Sequence, residues 1–362
     1  MKPLKALPKL KIGNLVSRLP IIQGGMGVGI SMSKLAAAVA NEGGIGVLSA
    51  AMPGIHESDI AKNSDAANIR VLRDEIRKAK EMTKGVLGVN VMVALTNFGQ
   101  MVQTAIAENI DIVFSGAGLP LDLPSFRPPG SNTKLVPIVS SGRAAMLLCK
   151  KWQSRYDVLP DAFVVEGPKA GGHLGFKPQQ IDDPAFALEK ITQDVIEAVK
   201  PFEKETGQRI PVIAAGGIYD GGDIYRFMKL GAAGVQMGTR FVATDECDAD
   251  DGFKQAIITA RKEDVVIIES PVGMPGRAVR NPFFDRVKTT HVNGFKCPYH
   301  CIKSCKREKS RYCIALALGN AKKGKFNYGF AFAGSNAWRV DRITSVKTLM
   351  QSLVAEYGQA VA

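Results

Sequence analysis

Residues 210–238 read IPVIAAGGIYDGGDIYRFMKLGAAGVQMG, and their pattern is the strongest indication of the fold. Two short apolar runs, which begin at Ile210 and Gly234, enclose a segment with helical periodicity. Both runs are continuously apolar rather than alternating, which is typical of strands buried on both faces of a parallel sheet. Both also end in glycine, whose missing side chain lets a ligand approach the backbone. The stretch therefore predicts a βαβ unit with a ligand site where its strands end.

The same unit recurs along the rest of the chain. Eight apolar runs of this kind begin at Pro20, Ile45, Val86, Ile110, Leu135, Ala162, Ile210 and Gly234. Helical patterns lie between most of them, at residues 33–41, 68–83, 98–108, 143–152, 184–200 and 222–230, and another follows at 253–262. This alternation predicts an α/β fold, a (β/α)8 or TIM barrel, with an open doubly wound sheet as the alternative.

Three regions follow from the change in character along the chain. Residues 1–268 are predicted to form the barrel. Residues 269–345 are rich in Gly, Pro, Arg and Cys and are predicted to form a smaller lid or subsidiary region. Residues 346–362 are predicted to form a C-terminal closing helix.

Composition excludes several classes of protein. The chain has 362 residues, 46% hydrophobic and 22% charged, with a mean hydropathy of +0.01, as expected of a globular protein rather than a disordered or coiled-coil one. It has no apolar run of the roughly 18 residues that span a membrane and no signal peptide, so we expect a cytoplasmic protein. Its six cysteines should then be reduced.

The net charge of +13 lies almost entirely near the C-terminus. Residues 271–362 contain 16 Lys and Arg but only 4 Asp and Glu, a net charge of +12. Such a surface favours phosphates, coenzyme A or an acidic carrier protein, and a solvated face that aids solubility is the alternative. No recognition helix, zinc finger or RNP-like aromatic pattern accompanies it, so nucleic acid is not an expected partner. The oligomeric state is not fixed by the sequence, and a homodimer remains open.

Glycines and amides at the predicted strand ends indicate a phosphate site. Strand 7 ends in Ala215-Gly216-Gly217 and strand 8 in Gln236-Met237-Gly238-Thr239. TIM barrels commonly bind phosphate between these two loops, where backbone N–H groups and helix N-termini favour an anion.

Two further strand ends can hold the rest of a ligand. Strand 1 ends in Gln23-Gly24-Gly25-Met26, where small residues would let a flat ring lie against the backbone. Asn90 is a polar residue in an otherwise apolar strand, so its side chain needs a partner, either a ligand or a neighbouring backbone group.

His173 is the candidate catalytic residue. It lies in the glycine-rich segment EGPKAGGHLG, residues 166–175, directly after strand 6. An imidazole over the mouth of a barrel can exchange protons near neutral pH.

The segments IIQGGMG, GVNVM, EGPKAGGHLGF, IPVIAAGGI and GAAGVQMGTRF together resemble the nitronate monooxygenase family, formerly called 2-nitropropane dioxygenases. Related flavoproteins, the FMN-dependent enoyl-acyl-carrier-protein reductases, share most of these motifs. The resemblance implies FMN at the barrel mouth with His173 beside the flavin. It implies the following cofactor-binding residues: Gln23, Gly24, Gly25, Met26, Asn90, Ser140, Glu166, Gly171, Gly172, Ala215, Gly216, Gly217, Gln236, Met237, Gly238 and Thr239.

The implied reaction is oxidation of alkyl nitronates by O2 to carbonyl compounds and nitrite. The alternative is an NAD(P)H-dependent reductase that acts on an enoyl thioester, and it is favoured by one departure: Ser140 and Ser141 follow strand 5, where many nitronate monooxygenases have a lysine. The segment 210–238 also resembles the phosphate site of IMP-dehydrogenase-like barrels. Cys149 lies in a helical pattern, however, so their catalytic cysteine loop is not recognisable here.

Four of the six cysteines, Cys297, Cys301, Cys305 and Cys313, lie within seventeen residues around His300. Zinc or an iron–sulfur cluster is conceivable for such a set. The familiar C-x2-C spacing is missing, so we expect reduced, partly buried thiols and assign no metal ligand.

Overall fold

The computed structural model describes residues 6–289 and 297–362. Its largest sheet has eight strands, all parallel to their neighbours. They are β1 Ile21–Gln23, β2 Gly46–Ser49, β3 Leu87–Met92, β4 Ile112–Gly116, β5 Lys134–Val139, β6 Phe163–Glu166, β7 Val212–Ala215 and β8 Gly234–Met237. Neighbours in sequence are neighbours in the sheet, and β8 pairs with β1. A parallel bridge between Ile22 and Ile45 joins the two ends. The predicted TIM barrel is confirmed.

Helices surround this barrel. They are α1 Ser33–Asn41, α2 Ser64–Met82, α3 Phe98–Ala107, α4 Gly142–Tyr156, α5 Leu188–Thr206, α6 Gly221–Lys229, α7 Thr239–Val242, α8 Asp251–Ile258, α9 Pro282–Thr289, α10 Ile314–Lys322 and α11 Val346–Val361. Capping residues set several starts: Asn63, Ser141 and Asp220 each accept a hydrogen bond from the backbone N–H three residues on.

Several helix bounds differ from the predicted ones. The helix α2 begins four residues earlier than predicted because Asn63 caps it, and α5 begins four residues later because a 3-10 turn, Pro184–Phe186, precedes it. After β4 the chain forms only the 3-10 turn Leu123–Phe126. The eighth place in the ring is filled by α11, which packs against α6 and α1.

An N-terminal hairpin, Leu10–Ile12 and Leu15–Ser17, covers one end of the barrel. Leu10 and Ile12 are almost fully buried in the same apolar cluster as the side chains that fill the barrel interior. Burying this end leaves the opposite end, where the strands finish, for the site.

The predicted subsidiary region joins the predicted barrel in a three-stranded antiparallel sheet of Val265–Glu269, Pro275–Val279 and Gly172–His173. Its first strand crosses the predicted boundary at residue 268. The region also includes α9, α10 and an aromatic cluster around Phe283. Residues 1–5 of the predicted barrel and 290–296 of the predicted lid lie outside the described residues, and the division into three regions stays a prediction. In the part of the chain that the structure describes, no helix is long and apolar enough to cross a membrane.

Candidate active site

A cavity of about 710 Å3 lies at the ends of the barrel strands. Strand-end residues, the loop after β6 and segments of the subsidiary region line it. Every predicted site residue except Gln23 is among the lining residues. The structure thus brings the predicted residues together around one space.

Gln23 does not line the cavity because its side chain is hydrogen-bonded to the backbone of the neighbouring strand. It is fully buried, its Nε2 donates to the Val47 carbonyl at 3.2 Å, and its Oε1 accepts from the Val47 N–H at 3.1 Å. These two bonds join β1 to β2 in place of a longer strand ladder.

The phosphate corner is the part of the cavity formed by the loops after β7 and β8. Gly216 and Gly217 have φ of +99° and +84°, a region that favours glycine. A Cβ on Gly216 would lie 3.0 Å from the Gly167 carbonyl, and one on Gly217 would lie 2.8 Å from Cβ of Lys169. Only glycine fits this close approach of two loops.

Cations also line the phosphate corner. Lys169 and Arg240 both face the cavity there. The Arg240 guanidinium lies 4.3 Å from the centre of the Tyr219 ring, a cation–π contact that holds it in place. The corner therefore combines backbone N–H groups with positive charge, the chemistry that a phosphate requires.

Gly25 and Asn90 line the cavity beside the phosphate corner, because β1 pairs with β8 and Met26 lies against Gly238. A Cβ on Gly25 would lie 2.5 Å from Cβ of Asn90, so only glycine lets the backbone after β1 approach Asn90 this closely. Oδ1 of Asn90 is buried and has no hydrogen-bond partner among residues 6–289 and 297–362. A buried acceptor without a partner is costly, so a ligand with an N–H group fits here.

Glu166, at the end of β6, is the acidic group of the lining. Its burial raises the pKa of its carboxyl to about 7. A carboxyl with that pKa can donate or accept a hydrogen bond near neutral pH.

His173 is held between the barrel and the subsidiary sheet. Its strand pairs with the strand Pro275–Val279, its Nε2 lies 2.7 Å from Oγ of Ser270, and its ring meets the edge of Phe332 with centroids 5.0 Å apart. Burial lowers the pKa of His173 to about 4. The imidazole is therefore neutral at physiological pH.

Ser270 and Phe332 contact the candidate residue His173, and the sequence analysis did not predict either contact. They lie about 100 and 160 residues from His173 in the chain, in a region without barrel periodicity. The apolar run before Ser270, VVIIE, is a strand signal that could have pointed to this contact.

The cysteine segment closes one side of the cavity. The Thr96 N–H donates to the Cys301 carbonyl at 3.2 Å and the Lys303 N–H donates to the Ala94 carbonyl at 2.9 Å, so the segment is fixed to the loop after β3. Cys301 faces the cavity, and burial raises the pKa of its thiol to about 12. Within the described ranges, no three His, Cys, Asp or Glu side chains are arranged to hold a metal ion.

Comparison with known proteins agrees with this geometry. The family model described as nitronate monooxygenase matches residues 9–356. The chain belongs to this family. A probable nitronate monooxygenase from Staphylococcus aureus (strain Newman) is 28% identical over 305 residues, which cover 74% of this chain and 77% of that protein.

Two further relatives extend the comparison. A (3aS,4S,5R,7aS)-5-hydroxy-7a-methyl-1-oxo-octahydro-1H-indene-4-carboxyl-CoA dehydrogenase from Mycobacterium tuberculosis is 28% identical over 277 residues, covering 76% of this chain and 67% of that protein. The structure of FabK from Thermotoga maritima superposes with a TM-score of 0.72 at 28% identity and covers 95% of this chain and 94% of that one.

Membership of the nitronate monooxygenase family makes the chain an enzyme of the nitronate monooxygenase-like oxidoreductase type. Proteins of this family and the FabK-like neighbours are flavoproteins, generally FMN-dependent. The chain is therefore assigned to the flavin-dependent oxidoreductases.

Proposed function

We propose that this protein binds FMN at the barrel mouth and oxidises alkyl nitronates with O2 to carbonyl compounds and nitrite. The observation that carries the choice of reaction is the neutral, buried imidazole of His173. The choice of cofactor rests on the phosphate corner and on Asn90.

The residues present fit FMN. The glycine loops, Lys169 and Arg240 would hold its phosphate, and the unpaired Asn90 Oδ1 would accept a hydrogen bond from a ring N–H. Gly25 packs against Asn90 and lines the cavity with it, so the ring would lie beside the backbone after β1. When bound, FMN would accept electrons from the substrate and deliver them to O2, while the protein supplies orientation and electrostatics.

The protonation state of His173 favours a nitronate over the other substrates. A neutral nitroalkane must lose a carbon-bound proton, and a base whose pKa is about 4 removes it poorly. Reduction of an enoyl thioester needs a proton donor, and an imidazole that is neutral at pH 7 is a poor one. A nitronate has already lost its proton and needs neither step.

His173 would instead bind and orient the substrate. Its Nε2 contacts Ser270, while its Nδ1 makes no hydrogen bond with any residue that the structure describes. This nitrogen is left for a substrate oxygen. Phe332 lies against the imidazole and lines the cavity on the same side.

Anaerobic mixing tests the proposal. Purified protein is mixed without O2 with either an alkyl nitronate or NAD(P)H, and flavin absorbance is followed. We expect bleaching by the nitronate and, after admission of O2, release of nitrite. Bleaching by NAD(P)H alone would contradict the nitronate assignment.

A thioester oxidoreductase is the second candidate. The Mycobacterium tuberculosis relative is named for a carboxyl-CoA substrate. Exposed Lys303 and Lys306 flank Ser304, which lies on the cavity lining, so an anionic carrier such as coenzyme A or an acidic protein could approach there. Consumption of an enoyl-CoA with NAD(P)H, at a rate exceeding nitronate turnover, would favour this candidate.

A further inference from the structure

The loop after β6, residues 168–171, is held from behind by a buried arginine. Arg277 is 7% exposed, and its Nη1 donates to the Pro168 carbonyl at 2.6 Å and to the Ala170 carbonyl at 2.8 Å. Residues 169–171 line the cavity, whereas Arg277 does not. The loop therefore lies between the guanidinium and the cavity. Arg277 lies in the basic segment 271–362 of the sequence, but its side chain is buried and is not exposed at the surface.

The direction of the loop's peptide groups follows from these bonds. In a planar trans peptide the N–H points away from the carbonyl of the preceding residue. Because the carbonyls of Pro168 and Ala170 face Arg277, the N–H groups of Lys169 and Gly171 face the cavity side. Neither N–H donates to another residue in the described part of the chain. Such N–H groups on one side of a loop form an anion-binding concavity.

This concavity adjoins the phosphate corner. A Cβ on Gly216 would lie 3.0 Å from the Ala170 nitrogen, and one on Gly217 would touch the Lys169 side chain. The Gly171 nitrogen lies near Thr239, because a Cβ on Gly334 would approach both. The N–H groups of Lys169 and Gly171 therefore add a third loop, the one after β6, to the anion site formed by the loops after β7 and β8.

Arg277 also adds charge behind the loop. It forms no ion pair with a carboxylate among the described residues, and Asp182 acts on it only at longer range. Burial lowers the pKa of Arg277, but a guanidinium remains protonated at any physiological pH. A buried cation without a paired carboxylate is costly, and a nearby anionic ligand offsets that cost.

We propose that Arg277 is a positioning residue for the phosphate of the bound flavin. It holds two carbonyls so that the N–H groups of Lys169 and Gly171 point at the phosphate, and it places a positive charge behind them. This inference rests on the proposed function, since FMN supplies the phosphate. The strand that carries Arg277 also pairs with His173, so one strand sets both the anion site and the imidazole.

Comparison of FMN with riboflavin, which lacks the phosphate, tests the inference. Apoprotein of the wild type, Arg277→Met, Arg277→Lys and Arg280→Met is titrated with each flavin, and binding is measured by quenching of flavin fluorescence. Arg280 is the matched control because it is exposed and pairs with Asp285 at 3.3 Å. We expect Arg277→Met to raise the Kd for FMN by about 10- to 100-fold, the value of a hydrogen bond to a charged group, and to leave riboflavin unchanged.

Arg277→Lys should show a smaller loss for FMN because it keeps the charge, and Arg280→Met should change neither Kd. Equal weakening of both flavins, or no weakening of either, would overturn the inference. Thermal melting identifies a variant that does not fold. If Arg277→Met does not fold, Arg277→Lys takes its place, and equal weakening of both flavins or no weakening of either would again overturn the inference. A wild type that binds both flavins equally overturns this inference alone, whereas one that binds neither overturns the proposed function as well.

Discussion

The phosphate corner and the His173 side of the cavity are built in different ways. The corner uses residues 215–217 and 236–239, which directly continue two barrel strands. The His173 side joins a loop after β6 to Ser270 and Phe332, which belong to the long segment after β8. The first region is positively charged and open to an anion, and the second keeps an imidazole neutral by burial. The candidate anion site therefore belongs to the barrel strands themselves, whereas the surroundings of His173 depend on the long segment after β8.

Gly217→Val should weaken FMN binding more than any other change considered, because it alters the phosphate corner directly. The positive φ costs a β-branched residue about 1–3 kcal/mol, and the new side chain would also meet Lys169 and block the phosphate. We expect the Kd for FMN to rise by about 10³-fold, measured by flavin content and titration. Gly207→Val is the control, since Gly207 has φ of +72° but nothing near its Cβ position. It should lose stability and keep its flavin; flavin loss in both variants would contradict the role of the corner.

His173→Gln should change the stability of the protein in acid. The pKa of His173 is about 4 in the folded protein and 6.5 as its ordinary value, so the unfolded chain binds more protons between these pH values. The contribution of the neutral imidazole to the free energy of unfolding is fully present above pH 6.5. It is lost as the pH falls towards 4, by up to about 3 kcal/mol. The variant should lose less stability over this range in urea unfolding.

His56 provides the matched comparison for that experiment. Its pKa is also lowered to about 4, first by burial and then by repulsion from Lys323 and Lys322. The loss of stability in acid that is due to His56 is the difference between wild type and His56→Gln, and it should become smaller when salt is added. The corresponding difference for His173→Gln should not depend on salt. A salt-dependent His173 effect would mean that charge rather than burial keeps this imidazole neutral.

His173→Ala should lower kcat/KM for an alkyl nitronate by about 10- to 100-fold, because an anionic substrate loses one hydrogen-bond donor. Flavin content should be unchanged, since the corner is untouched. Stopped-flow reduction by nitronate measures the effect. An undiminished rate would remove His173 from the substrate site.

Charge reversal at the rim should have the smallest effect. Lys306→Glu should change nitronate kcat/KM by less than about twofold, since a small substrate is steered weakly by one exposed charge. For a coenzyme A thioester the same variant should lose about two- to threefold at low salt and nothing at high salt. Lys229→Glu, on the outer helix α6, is the control with the same charge change.

The contrast between the phosphate corner and the His173 side also explains which features can be predicted from the sequence. The barrel and the corner follow from local patterns, because the glycines of residues 216–217 adjoin the strand that positions them. The surroundings of His173 depend on contacts between segments about 100 residues apart, which no local pattern specifies. Arg277 shows the limit best: in the sequence it is one basic residue among many, and only the fold shows that its guanidinium is buried against two carbonyls. Gln23 shows the converse, because its strand is predicted while its side chain bonds Val47 instead of lining the cavity.

The position of α11 has a consequence for how the chain folds during synthesis. The last barrel strand ends at Met237, but the helix that fills the eighth place in the ring begins at Val346. A ribosome must therefore translate about a hundred further residues before the ring can close. Until then the apolar faces of α1 and α6 that α11 covers stay open to chaperones.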